Sequence, residues 1–403
     1  MWDEYFDFNT VSEIRLKTTT YFGAGAIAKI SGIVKSLKAR GIDHVLCMTG
    51  GRSYKLTGAW DYVEKACKEN GVGITLYNKV TPNPTTVSID EAVALAKKDG
   101  AKAVISIGGG SPIDAGKSAA VLLAYPDKTA EELYTFKFTP DHAAPIIAIN
   151  LTHGTGTEVD RFAVATIPHL NFKPAIAYDC IYPEYSIDDP ALMTKLSLDQ
   201  TRYVSIDAVN HVVEAATSVV ANPLAISFGV ETIRLVAKYL PEALKNPEDI
   251  KARYALLYAS MVAGSGFDNG LLHYTHALEH PLSGMKPELT HGLGLAILLP
   301  AVVLECYPAK AKVFADLFAP IVPGLKGEPD EAKKAALGVE KWLASVGVPQ
   351  KLTDVGFSEK DVEPLCKLAL TTPSLDGLLS CAPVPSSEER IKRIYTNSLK
   401  SIA

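Results

Sequence analysis

Paired cysteines are missing from this 403-residue sequence: Cys47, Cys67, Cys180, Cys306, Cys366 and Cys381 are scattered, with no CxxC spacing. A chain of this length can build its own core, so the thiols read as buried side chains rather than a disulfide frame. A surplus of positive charge is missing too. The formal net charge is −5, which argues against nucleic acid or an anionic membrane as the main partner. Long apolar runs are scarce. The most apolar one, Leu293–Val303, contains Pro300, and no membrane span is expected from it. Met1–Asn9 is acidic and aromatic, unlike a basic-then-apolar secretory leader, so a cytoplasmic protein is expected. No repeat or low-complexity linker interrupts the chain.

What is present changes character along the chain. In the first half, strand-like runs (His44–Thr49, Ile74–Val80, Ala103–Ile107, Pro145–Ile149) alternate with helical spacings (Tyr62–Asn70, Ile89–Lys98). This is the pattern of a parallel α/β sheet. After Pro190 the segments read as helices: Leu198–Ser218, Leu224–Tyr239, Asp249–Gly264, Leu272–Leu282, Gly292–Glu305 and Glu331–Val346. The expected organisation is an α/β domain over 1–189 and an all-α domain over 190–403, with a ligand cleft between them.

Two glycine-rich turns follow predicted strands. Gly108, Gly109 and Gly110 precede Ser111 and Pro112, which suit the cap and first residue of a helix. Backbone N–H groups in such a turn can meet a phosphate. The P-loop spacing fails by one residue, between Gly110 and Gly116–Lys117, and GxGxxG is absent except for a relaxed form at Gly23–Ala28. A tight turn alone would explain the triple glycine equally well. The second turn, Asn150–Glu158, interleaves Thr152, Thr155 and Thr157 with Gly154 and Gly156. Two such turns at the ends of parallel strands mark the place where open α/β sheets bind ligands.

Histidine is concentrated: His273, His276, His280 and His291 are four of nine. His276 and His280 are four apart, and so are Asp207 and His211 upstream, each pair on one helical face. Buried ionisable residues need partners or a metal. Three histidines and a carboxylate suit Fe(II), Zn(II), Mn(II) or Co(II). A hydrogen-bonded core without metal is the competing reading.

The segments GGGSPIDAGK (108–117), THGTGTE (152–158), DAVNH (207–211), HALEH (276–280) and HG (291–292) stand in the order found in iron-containing alcohol dehydrogenases, which the chain resembles over nearly its whole length. The resemblance implies an N-terminal dinucleotide domain and a C-terminal helical metal domain. It implies metal ligation by Asp207, His211, His276 and His291, with His280 as a proton relay and Phe267 lining the substrate pocket. It implies cofactor contacts by Gly108, Gly109, Gly110, Ser111, Asp114, Thr152, Thr155 and Lys173, and a homodimer or larger homo-oligomer. Family members commonly have Pro-Thr-Thr where this chain has Asn150-Leu151-Thr152, which removes one hydroxyl contact, and the His280–His291 spacing is a residue longer than in some relatives.

Many NAD-using relatives place an aspartate after the first strand of the fold. Here Gly50, Gly51, Arg52, Ser53, Tyr54 and Lys55 follow, with no acid. Arg52, Ser53 and Lys55 could hold a 2′-phosphate, so NADP(H) is expected over NAD(H). The expected reaction is reversible hydride transfer between primary alcohols or diols and aldehydes. Fe(II), with room for a substrate oxygen, is preferred to a tetrahedrally closed Zn(II). A polyol or glycerol-phosphate dehydrogenase is the rival; only Lys286 is basic between Phe267 and His291, which disfavours an anionic substrate.

Overall fold

In this computed structural model, which describes residues 9–402, the buried apolar strands form one parallel sheet. Met1–Phe8, on which the leader expectation rests, lie outside the described residues. The strands are β1 (Thr19–Phe22), β2 (His44–Thr49), β3 (Gly73–Tyr77), β4 (Ala103–Gly108), β5 (Ile146–Asn150) and β8 (Tyr185–Asp188), in the order β1-β8-β5-β4-β2-β3. A separate antiparallel pair, β6 (Phe162–Val164) and β7 (Ala175–Ala177), sits in the excursion between β5 and β8. Alternate residues face opposite sides, as the two-residue period requires. Val45, Cys47, Ile105, Ile107, Ile147 and Ile149 meet α1 (Ile30–Ala39) and α3 (Ala59–Asn70), with the short α2 (Ser53–Leu56) between β2 and α3. Leu46, Met48, Val104 and Ile146 meet α4 (Thr86–Asp99), α5 (Gly110–Ala124) and α6 (Ala130–Tyr134) on the other side.

From β2 the chain moves outward to β3, then returns past β2 to β4 and continues toward β1. The direction reverses between β2 and β4. Their C-terminal ends therefore flank the crevice of the sheet, with Gly50–Lys55 on one side and Gly108–Ser111 on the other. The first residue of α5 is Gly110, and its N-cap is Gly109 without a side-chain hydrogen bond, so the expected Ser111 cap is corrected: Ser111 lies in the first turn.

After β8 the described residues hold only helices: α7 (Leu198–Thr217), α8 (Pro223–Lys245), α9 (Ile250–Gly270), α10 (Tyr274–Met285), α11 (His291–Cys306), α12 (Ala311–Phe318), α13 (Ala332–Ser345), α14 (Glu359–Thr371), α15 (Leu375–Ser380) and α16 (Glu388–Ser398). One apolar cluster unites them. Pro300 does not break α11; packing against α7, α10, α13 and α16 offsets the lost hydrogen bond, about 3 kcal/mol. With the following turn, His291–Ala309 is long and apolar enough to cross a membrane, contrary to expectation, and it is 72% buried inside the protein as a core helix.

The relaxed glycine motif at Gly23–Ala28 has an internal occupant. The Asp189 carboxylate accepts hydrogen bonds from Gly25 N (3.0 Å) and Ile27 N (3.2 Å), which closes this turn to another anion.

Candidate metal and cofactor site

Helix α7 is buried over almost its whole second half, so the polar residues among its Val and Ala face protein. Asp207 and His211 share one face, and Asp207 Oδ1 lies 3.6 Å from both His211 Nε2 and His276 Nε2. His291, the first residue of α11, completes a group with Asp207 and His276 whose ligand atoms all lie within 4.8 Å of one another. The His211 ring stacks between His276 (4.5 Å) and Phe267 (4.5 Å), and Phe267 meets Phe162 from β6 (5.4 Å). The cluster opens on one side: the His291 side chain is 26% exposed, against 3–6% for Asp207, His211 and His276.

The donor set fits a divalent cation. Asp207 Oδ1, His276 Nε2 and His211 Nδ1 are buried without a hydrogen-bond partner, and orphaned buried polar atoms need an explanation. Burial opposes ionisation of Asp207, but the imidazoles of His211, His276 and His291 outweigh it and hold the carboxyl down to about 2. Burial lowers His276 as well, yet Glu214 and Asp207 carry it up to about 9. The arrangement favours positive charge at this spot, which a metal would supply on displacing the proton.

The other histidines differ. His273 caps α10: its Nδ1 accepts from Tyr274 N at 2.7 Å, and its Nε2 meets Thr217 Oγ1 at 3.0 Å. It has no nitrogen free for a metal. His280 is buried beyond His276, its ring 5.8 Å from His291 and its Nδ1 unpartnered. Burial, then the charge of Lys173, keep it neutral. His153 lies between Arg253 (2.9 Å) and Ser205 (3.4 Å) in the interior.

The two glycine turns touch each other. A Cβ on Gly109 would lie 2.7 Å from Thr152 Oγ1, and one on Gly110 would lie 2.7 Å from Thr155 Cγ2. Gly154 and Gly156 serve docking instead. A Cβ on Gly154 would meet Val204 O of α7 at 2.5 Å, and one on Gly156 (φ +65°) would meet Gly264 Cα of α9 at 2.4 Å. Gly109, Gly110, Ser111, Thr152 and Thr155 remain half-buried and form one lip of the crevice. Gly51, Arg52, Ser53 and Lys55 are exposed on the other, with Gly50 half-buried beside them.

Three expectations need revision. Asp114 is engaged: its carboxylate accepts from Thr157 Oγ1 (2.7 Å) and Val164 N (3.0 Å), tying α5 to the second turn and β6. Lys173 is buried against Glu279 (3.3 Å) and His291 Nδ1 (3.4 Å), next to the metal cluster. Lys286 turns away to donate to Val355 O and Gly356 O, so Lys173, from outside the segment surveyed, is the cation at the site. Lys117, which suggested a P-loop, is fully buried and donates to Thr157, Asp160 and Phe162 at 2.7–2.9 Å.

Sequence reasoning missed Glu214 and Glu279. Glu214 contacts His276 Nδ1, and Glu279 contacts His291 Nδ1. The signal was there: Glu214 is three residues after His211, and Glu279 three after His276.

Comparison with known proteins covers both domains. The model of the iron-containing alcohol dehydrogenase family matches residues 17–190, and that of the Fe-containing alcohol dehydrogenase family, C-terminal, matches 201–399. The sequence is 60% identical over 398 residues to a long-chain primary alcohol dehydrogenase of Thermoanaerobacter ethanolicus, covering 99% of this chain and 100% of that one. It is 31% identical over 382 residues to 1,3-propanediol dehydrogenase of Citrobacter freundii, covering 93% and 95%. Among solved structures, NADH-dependent butanol dehydrogenase A of Thermotoga maritima superposes with a TM-score of 0.88 at 28% identity, covering 97% of this chain and 99% of that one. A parallel sheet joined to a helical domain that gathers Asp207, His276 and His291, matched end to end by alcohol dehydrogenases, leads to a single assignment: this chain belongs to the iron-containing alcohol dehydrogenase family.

Proposed function

We propose that the enzyme interconverts long-chain primary alcohols, or diols, and their aldehydes, using Fe(II) and preferring NADP(H) to NAD(H). The observation that carries the reading is the convergence of Asp207, His276 and His291, with orphaned buried atoms, beside the crevice of a parallel sheet. The substrate class rests on the relative from Thermoanaerobacter ethanolicus, a long-chain primary alcohol dehydrogenase by name. The cofactor preference rests on exposed Arg52, Ser53 and Lys55 and on the absence of an acid over 50–55; the Thermotoga maritima relative is NADH-dependent by name.

Asp207, His211, His276 and His291 would hold the metal, which when bound supplies Lewis acidity toward the alcohol or carbonyl oxygen. The nicotinamide, when bound, supplies the hydride chemistry. The chain's own residues do the rest. Gly108–Ser111 and Thr152–Thr155 offer backbone N–H groups and hydroxyls to the diphosphate. Phe267 and Phe162 wall the site and exclude water. His280, its Nδ1 without a partner, is the candidate for relaying the alcohol's proton, against burial and the Lys173 charge, which disfavour its protonated form.

The test is reconstitution. Metal is stripped anaerobically, Fe(II) or Zn(II) is restored in separate samples, and oxidation of NADPH and of NADH is followed with a long-chain aldehyde. Activity restored by Fe(II), with a higher kcat/KM for NADPH, is the expected result. Restoration by Zn(II) alone would remove the iron assignment, equal efficiency with both cofactors the NADP preference, and no metal-dependent turnover the whole reading.

A further inference from the structure

Two buried carboxylates that bind no substrate stand behind the proposed ligands. Glu214, on α7, is fully buried. Its Oε1 accepts hydrogen bonds from His273 N (3.0 Å), Thr275 N (2.7 Å) and His276 N (3.2 Å), the N–H groups at the start of α10 that lack intrahelical partners. Its Oε2 contacts His276 Nδ1. A carboxylate with one oxygen held by three amide donors has no proton to give, so Nδ1 is the donor and Nε2 is the nitrogen left to face Asp207. That nitrogen is the one 3.6 Å from Asp207 Oδ1 and without a partner. Glu279, on α10, differs: its Oε2 contacts His291 Nδ1, but Lys173 Nζ sits 3.3 Å from the same oxygen and 3.4 Å from that Nδ1. His211 has no such carboxylate behind it; its Nδ1 is unpartnered.

We propose that Glu214 is a positioning residue that fixes His276 in the Nδ1–H tautomer, so that the ring presents Nε2 to the cation. The inference rests on the metal centre proposed above. Carboxylate–histidine–metal relays of this kind orient the ring and raise ligand basicity, and their loss costs about 10–100-fold in metal affinity. In Glu214→Gln the amide oxygen is held by three backbone N–H groups, so the amide NH2 must face His276 Nδ1. The ring then has to accept there and carry its proton on Nε2, where the metal would bind. Glu214→Ala leaves Nδ1 without a partner and the tautomer free, while removing the cap of α10.

The experiment titrates metal-free protein with Co(II) or Zn(II) against a competing chelator, and records the Co(II) visible spectrum alongside thermal melting. Expected is a metal affinity order of wild type, then Glu214→Ala, then Glu214→Gln, with Gln at least about tenfold below wild type. The melting temperatures should run wild type, Glu214→Gln, Glu214→Ala. A Gln variant that binds metal like wild type overturns the proposal, and so does an affinity order that merely follows stability. If neither variant folds, 15N-histidine NMR of Zn(II)-loaded wild type decides: His276 with a proton on Nδ1 and the metal on Nε2 upholds the proposal, and His276 without a proton on Nδ1 overturns it. Wild type that binds no metal, or binds it equally well as Asp207→Asn, overturns the metal centre itself and the inference with it. That outcome is distinct from failure of Glu214→Gln alone.

Discussion

At the scale of single residues, the proposed preference for NADP(H) turns on charge at one exposed turn. Arg52 and Lys55 stand exposed at the end of β2, Lys55 Nζ 5.6 Å from the centre of the Tyr54 ring. A 2′-phosphate there would gain charge-assisted hydrogen bonds, and a ribose hydroxyl would gain little. Replacing both Arg52 and Lys55 with alanine should lower kcat/KM for NADPH about tenfold or more, which corresponds to roughly 1.4 kcal/mol or above, and leave NADH within about twofold. Equal losses with both cofactors would show that the turn acts on something the two share. The Asp207–His211 and His276–His280 pairs were legible because a four-residue spacing puts side chains on one face. Glu214 and Glu279 lie on those faces too, but a glutamate in a helix is ordinarily solvated, and only the tertiary fold shows that both are buried. The place of Lys173 was not legible, because it reaches α10 from the excursion between β6 and β7.

At the scale of elements, the two glycine turns are a fitted pair. In Gly109→Ala the new methyl would collide with the Thr152 side chain, at 2.7 Å from Oγ1, and cost about 1–3 kcal/mol. Thr152→Ala removes the colliding atoms. The double variant should therefore recover at least about 0.5 kcal/mol relative to the sum of the single changes, read from denaturant melts. Additive effects would mean the turns do not press on each other. Below the second turn, Glu158 and Asp188, at the end of β8, are both fully buried, and neither Glu158 oxygen has a partner. Burial, then the neighbouring Asp188 charge, raise Glu158, and burial raises Asp188 to about 7. The folded chain thus keeps protons that the unfolded chain releases from about pH 4, so stability falls as pH rises through about 4 to 7. Glu158→Gln should raise the melting temperature by a few degrees at pH 8 and by less at pH 5; an equal change at both pH values would contradict this. β8 itself escaped the sequence reading for the same reason: Ser186 and Asp188 are polar residues in a strand, and their burial depends on the sheet around them. β2, β4 and β5 were plain because they are mostly apolar, with Val45–Met48, Ala103–Ile105 and Ile146–Ile149 as unbroken runs. After Ala311 only α13 was read from the sequence: α12 and α15 are short, and α16 buries little beyond Ile391, Ile394 and Tyr395, too faint a stripe to stand out.

At the scale of the whole molecule, the proposed ligands come from three helices, α7, α10 and α11, so a cation would cross-link the helical domain. A ligand that binds only the folded state adds stability by mass action, about 2.7 kcal/mol at a hundredfold excess over Kd. Chelator treatment should therefore lower the melting temperature, Zn(II) or Fe(II) should restore it, and Asp207→Asn should melt the same with or without metal. A chelator-insensitive melt in wild type would count against a cation at this junction. The change from α/β to all-α was readable because strand-like runs end before Pro190, whereas the contact between the two domains was not, since it joins residues far apart in sequence: Lys173 to Glu279, His153 to Arg253, and the backbones of Gly156 and Gly264. Gly156 and Gly264 meet there with no side chain on either one, at the spot where an added methyl would lie 2.4 Å from its neighbour. Nothing at that point can be compressed, so a methyl on either glycine would have to prise the second glycine turn away from α9.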